Sequence, residues 1–132
     1  MKRIILLALL LACSAAQATE WVRVGESAVS NEPTLLDVSS IRIANGVRRA
    51  WVKTVIKPHT QRDPVEADRW VSYTLARVAI NCADETYRYE AGSWYFEDGG
   101  NANAAFDEKW HPITPESVVQ AEMEFICALK PR

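Results

Sequence analysis

Ile41-Arg42-Ile43-Ala44-Asn45-Gly46-Val47-Arg48-Arg49-Ala50-Trp51-Val52-Lys53-Thr54-Val55-Ile56-Lys57 alternates apolar and polar residues around an Asn-Gly pair. Asn and Gly both tolerate positive φ, which a two-residue turn needs if its twist is to match the strands it joins. The stretch predicts an antiparallel hairpin with Ala44 opposite Val47 and Ile41 opposite Ala50. In that register Ile41, Ile43, Ala50, Val52, Thr54 and Ile56 share one face, and Arg42, Arg49, Trp51 and Lys53 share the other. One dry face and one wet face describe an antiparallel sheet covered on a single side. Arg42 falls opposite Arg49, a like-charge pair that mildly opposes the register.

Outward from the hairpin the same alternation recurs. Trp21 to Val24 reads as a short first strand, Asn31-Glu32-Pro33 breaks the chain, and Leu35 to Ile41 leads into the hairpin. Pro58 to Asp68 is a polar loop. Trp70 to Cys82 is a long strand with Ala76, Val78, Ile80 and Cys82 on one side and Tyr73, Leu75, Arg77 and Asn81 on the other. Thr86 to Phe96 is aromatic-rich and strand-like. Asp98-Gly99-Gly100-Asn101 turns the chain, and Ala102 to Phe106 returns as a short strand. The period then changes. Thr114-Pro115-Glu116 offers a capping hydroxyl, a proline for the first helical position and a carboxylate for the positive end of the dipole. Val119, Met123, Ile126 and Cys127 follow on one stripe. The expected fold class is α+β: a single antiparallel β-sheet of about six strands with one C-terminal helix packed on a face.

The chain has 132 residues, 48% of them hydrophobic and 24% charged, with a formal net charge of −2. That suits one small domain and offers no basic field for nucleic acid. Lys2 and Arg3, the apolar run Ile4 to Ala12 and Ala16-Gln17-Ala18 have the order of a secretory signal peptide over residues 1–18. Leu10-Leu11-Ala12-Cys13 is the alternative, a lipoprotein signal over residues 1–12 with lipidated Cys13. Only that alternative ties the protein to a membrane. Export leaves residues 19–132 in the periplasm or at the surface, where Cys82 and Cys127 form an even pair in an oxidising compartment. Their bond would fasten the helix to the sheet.

Neither His59 nor His111 lies in a catalytic or metal-binding spacing, and no thiol has a C-x-x-C partner, so no enzyme activity, metal or other cofactor is expected. Aromatic residues interleaved with arginine suit a protein-binding surface. Trp51 lies between Arg49 and Lys53, and Tyr73 shares an outward side with Arg69 and Arg77. These five residues, Arg49, Trp51, Arg69, Tyr73 and Arg77, are the binding candidates. Tyr87 and Tyr89 share one face of the next strand.

The ordered set Trp21-Val22, Leu36-Asp37-x-x-Ser40-Ile41, Asn81-Cys82, Thr114-Pro115 and Ile126-Cys127-Ala128 resembles the surface-adhesin protein E-like family of Gram-negative bacteria. The resemblance implies a six-stranded sheet with one disulfide-linked helix. It also implies an envelope protein that binds host matrix or serum proteins such as vitronectin, laminin and plasminogen through a basic strand before the first cysteine. In the equivalent stretch, Asp68 to Asn81, this chain carries Arg69 and Arg77 only. The expected function is therefore exported, non-enzymatic binding of a protein partner. The alternative is a periplasmic accessory subunit or an inhibitor of another envelope protein.

Overall fold

A computed structural model describes residues 18–27 and 31–130. The leader through Gln17, and with it Cys13, lies outside the described residues. The strands are β1 (Trp21–Glu26), β2 (Pro33–Ala44), β3 (Val47–Val55), β4 (Val71–Asn81), β5 (Thr86–Phe96), β6 (Asn101–Asn103) and β7 (His111–Pro112), followed by the helix α1 (Val118–Ala128). Strands β1 to β6 are neighbours in chain order and pair antiparallel. The two-residue β7 pairs with β5 on the edge that β6 also uses. Chain-order pairing is what successive alternating segments produce when each can fold back on the last, by the tight Asn45-Gly46 turn between β2 and β3 and by a long loop between β3 and β4.

Asn45 and Gly46 have φ of 51° and 76°, and Ala44 pairs with Val47 as the Asn-Gly turn predicts. Arg42 does face Arg49. The register then breaks. Asp37 pairs with Trp51, so Val38 to Ile41 stand against Ala50 alone, and Ile41 is not its simple partner. The side chains of Asp37 and Ser40 make this bulge affordable. The Asp37 carboxylate accepts from the backbone N–H groups of Ser39 at 3.0 Å and Glu20 at 3.2 Å. The Ser40 hydroxyl donates to the Asp37 carbonyl and accepts from the Trp51 N–H at 2.9 Å. It thus replaces a ladder bond that the bulge removes.

The covered face holds the core: Leu36, Ala50, Val52, Val78 and Ile80 from the sheet, and Ile126 from α1. Cys82 and Cys127 are bonded with their Cα atoms 5.9 Å apart. Arg48 donates to the carbonyls of Ile126 and Leu129, satisfying the end of a helix with no basic residue in its own last turn.

Three expectations are corrected. The helix starts at Val118 because Ser117, not Thr114, caps it. Ser117 Oγ accepts from the Gln120 N–H at 3.1 Å, and Glu116 sits at φ 60°, which no helical residue adopts. Ile43 is 42% exposed, because α1 ends beside Arg48, its partner in the ladder, and leaves the hairpin tip uncovered. Strand β6 is Asn101–Asn103 rather than Ala102 to Phe106, since Phe106 leaves the edge to pack on Tyr89. Tyr87 and Tyr89 do share one face of β5, and it is the covered one, against the core.

The helix also carries a titratable residue inward. Glu122 is 1% exposed, and its Oε2 has no hydrogen-bond partner among the described residues. Burial pushes its carboxyl up to about 8.

Candidate functional site

The uncovered face is built by alternation. On β3 it presents Val47, Arg49, Trp51 and Lys53. On β4 it presents Tyr73, Leu75, Arg77 and Ala79, because the β3–β4 ladder runs without a shift from Val47↔Asn81 to Val55↔Tyr73. That register places Trp51 beside Arg77 and sets Arg49 and Arg88 on either side of Ala79. Ala79 is fully buried although it faces outward, and its small side chain lets the flanking arginines extend over it.

Between Arg77↔Ala91 and Val78↔Tyr89 the β4–β5 ladder skips one residue, Glu90. The extra residue lets Glu90 keep the outward side of Arg88 while Gly92 and Trp94 pass to the covered face. Glu90 is thereby lodged between three guanidinium groups. Its Oε2 lies 2.9 Å from Arg49 Nε and 3.2 Å from Arg77 Nε, and its Oε1 lies 3.0 Å from Arg88 Nη2. The carboxylate side chain is only 12% exposed. Desolvation alone would raise its affinity for a proton. The hydrogen bonds from Arg49 and Arg88, with the charges of Arg49 and Arg77, outweigh that and hold it below the usual carboxylate range.

These residues and Glu108 line a cleft of about 380 Å³. The Trp110 ring lies against one of these arginines, its centroid 4.8 Å from Arg88 Cζ. Further along the face, Tyr73 and Tyr95 stack at 4.4 Å, and Lys53 Nζ lies 4.1 Å from the Tyr73 centroid.

Four of the five candidates, Arg49, Trp51, Tyr73 and Arg77, therefore share one continuous face. Arg69 is placed apart from them. It forms two hydrogen bonds to Asp98 at 3.0 and 3.1 Å, lies 3.8 Å from the Phe96 centroid and is 21% exposed. A Cβ on Gly100 would stand 2.1 Å from Arg69 Nη2, so glycine is what admits this contact. The Arg69 hydrogen bond, helped by the Gly100 N–H, holds the Asp98 carboxyl below its ordinary range. Arg69 thus closes the 57–70 loop onto the β5–β6 turn. Arg88, Glu90 and Trp110 were not anticipated from the sequence. The spacing of Arg88 and Glu90 signals a shared face, but their meeting with Arg49 and Arg77 requires the β4–β5 register.

His59 pairs with Glu97 at 3.0 Å and His111 with Asp107 at 3.0 Å. Among the described residues no group of three His, Cys, Asp or Glu side chains is placed to hold a metal ion. No helix among them is long and apolar enough to cross a membrane. On the covered face, Val52, Thr54, Thr74, Tyr89, Trp94 and Phe106 surround a cavity of about 180 Å³ beyond the reach of α1.

The fold and disulfide can be set beside known proteins. No curated protein matches the chain in sequence. Crystal form II of Haemophilus influenzae protein E superposes with a TM-score of 0.55 at 18% identity, covering 72% of this chain and 80% of that one. The selenomethionine form gives 0.57 at 19%, covering 82% and 85%. Protein E from non-typeable Haemophilus influenzae gives 0.56 at 20%, covering 82% and 75%. These likenesses establish a shared fold. The sequence profile described as Surface-adhesin protein E matches residues 21–128, nearly the whole described chain. The chain belongs to the Surface-adhesin protein E family.

Proposed function

We infer that the chain is an exported, non-enzymatic binding protein that recognises a host matrix or serum protein through the uncovered face of its sheet. The observation that carries this reading is the outward surface of β3, β4 and β5. There Arg49, Arg77, Arg88 and Lys53 are interleaved with Trp51, Tyr73 and Tyr95, on a chain that is otherwise slightly acidic. Rings and guanidinium groups fixed by a rigid sheet lose little freedom on docking, and these side chains dominate protein interfaces. Positive charge on this face would orient an acidic partner as it approaches. Family membership supports a surface role of adhesive type.

The test is surface plasmon resonance of the oxidised protein over immobilised vitronectin, laminin and plasminogen, with the paired substitution Trp51→Ala and Arg77→Ser. Expected is saturable binding that the pair weakens by at least tenfold, the scale of losing interface anchors. Wild-type affinity in the pair removes this face from the reading. If the protein instead binds none of the three and co-purifies with one envelope protein, it is an accessory subunit and not an adhesin.

A further inference from the structure

The arginines around Glu90 use only part of their hydrogen-bonding capacity. Arg49 hydrogen-bonds Glu90 through Nε and Arg88 through Nε and Nη2, while Arg77 meets it as an ion pair, Nε 3.2 Å from Oε2. Among the described residues the two Nη atoms of Arg49, the two of Arg77 and Nη1 of Arg88 have no hydrogen-bond partner. A guanidinium presents its donors as a planar fork, so fixing Nε to a carboxylate also fixes the direction of the opposite, Nη-bearing edge. Glu90 therefore fixes the forks of Arg49 and Arg88 by hydrogen bonds and draws Arg77 in by charge. The same three arginines line the 380 Å³ cleft. Three cations against one buried carboxylate leave the cluster positive, and Glu108 at its edge offsets only part of that.

The geometry points to an oxyanion-binding site formed by Arg49, Arg77 and Arg88, with Glu90 as the positioning residue that aims them, and with a tetrahedral sulfate or phosphate group as its ligand. A tetrahedral anion offers oxygens in several directions and suits forks converging from three strands. The cleft is far larger than the anion alone, which leaves room for the group to be an ester on a larger molecule. This deepens the proposed function by naming the chemistry its partner carries on this face, and it rests on that reading only for the partner, not for the ion.

Isothermal titration of the oxidised full-length protein with sodium sulfate, sodium phosphate and sodium acetate at constant ionic strength tests it, with arginine side-chain N–H resonances followed in parallel. Expected is saturable binding of sulfate or phosphate, tighter than acetate, with shifts at Arg49, Arg77 and Arg88. The tighter of the two anions identifies the partner's group as a sulfate or a phosphate ester. Glu90→Gln is the decisive variant, because it makes the cluster more positive. If charge alone mattered, or if Glu90 merely occupied the site, binding would tighten; if Glu90 aims the forks, binding weakens about tenfold. Arg49→Lys keeps the charge and loses the fork, and should weaken binding by a similar factor even if the Glu90 variant fails to fold. Absent saturation, equal binding of acetate, tighter binding by Glu90→Gln, or unchanged binding by Arg49→Lys each overturns the assignment. Sulfate binding without matrix-protein binding leaves the site standing and removes only the adhesive reading.

Discussion

Replacing Glu122 by glutamine should make the protein more stable at neutral pH, although it removes an acidic residue from a helix. Glu122 is buried between α1 and the sheet with Oε2 unpartnered, and its carboxyl is pushed up to about 8 from an ordinary 4.5. The folded protein thus holds a proton that the unfolded chain gives up above its ordinary value. Stability from this group is fully present below about pH 4.5 and is lost as the pH rises to about 8, beyond which the group contributes no further slope. Each power of ten in proton affinity is worth about 1.4 kcal/mol, so roughly 3 kcal/mol is lost by pH 7. Glutamine keeps the shape without the proton equilibrium. The variant should match the wild type near pH 4.5, exceed it by roughly 2–3 kcal/mol at pH 7 and exceed it by somewhat more above pH 8. Urea unfolding of both oxidised proteins across that range, at fixed ionic strength, measures the difference. A gap between the two that does not change with pH would refute the reasoning, because it would show that Glu122 is ionised or hydrated in the folded state.

Two further outcomes concern the framework. Removing the Cys82–Cys127 bond by the paired Cys82→Ser and Cys127→Ser substitution should cost about 4 kcal/mol for a closure of 45 positions, read from the shift of the urea midpoint. Ser40→Ala should cost about 1–3 kcal/mol by leaving the Trp51 N–H unpaired inside the bulge. Hydrogen exchange at that amide should accelerate more than at Val52, whose ladder bonds are untouched.

The hairpin turn, the limits of β5, the closing helix and the disulfide can be read from the sequence because each has a local or arithmetic signal: Asn-Gly, aromatic alternation, a change of period, an even pair of thiols. The displaced Ile41 and the unread arginine cluster share one physical origin. Local pattern tells which way a side chain alternates but not when the alternation is interrupted, and this sheet is interrupted at Asp37–Arg42 and again at Glu90. The first interruption displaced Ile41 from Ala50. The second created the cluster of Arg49, Arg77 and Arg88, two of which were singled out by composition without the carboxylate that binds them together. Arg69 illustrates the converse. It has the right residue type and lies near the right strand, but its long-range bond to Asp98 could not be inferred from neighbours in sequence. Glu122 escaped notice because its position on the stripe is occupied by a residue that water normally claims.

The S–S bond makes everything from Cys82 to Cys127 a covalent ring that includes β5, β6, β7 and most of α1. The exposed stretch Asp107 to Trp110 lies within that ring. A protease that nicks it there makes two polypeptides that still migrate as one species until a reductant is added. In an environment rich in proteolytic enzymes, a single scission therefore does not shed the terminal segment.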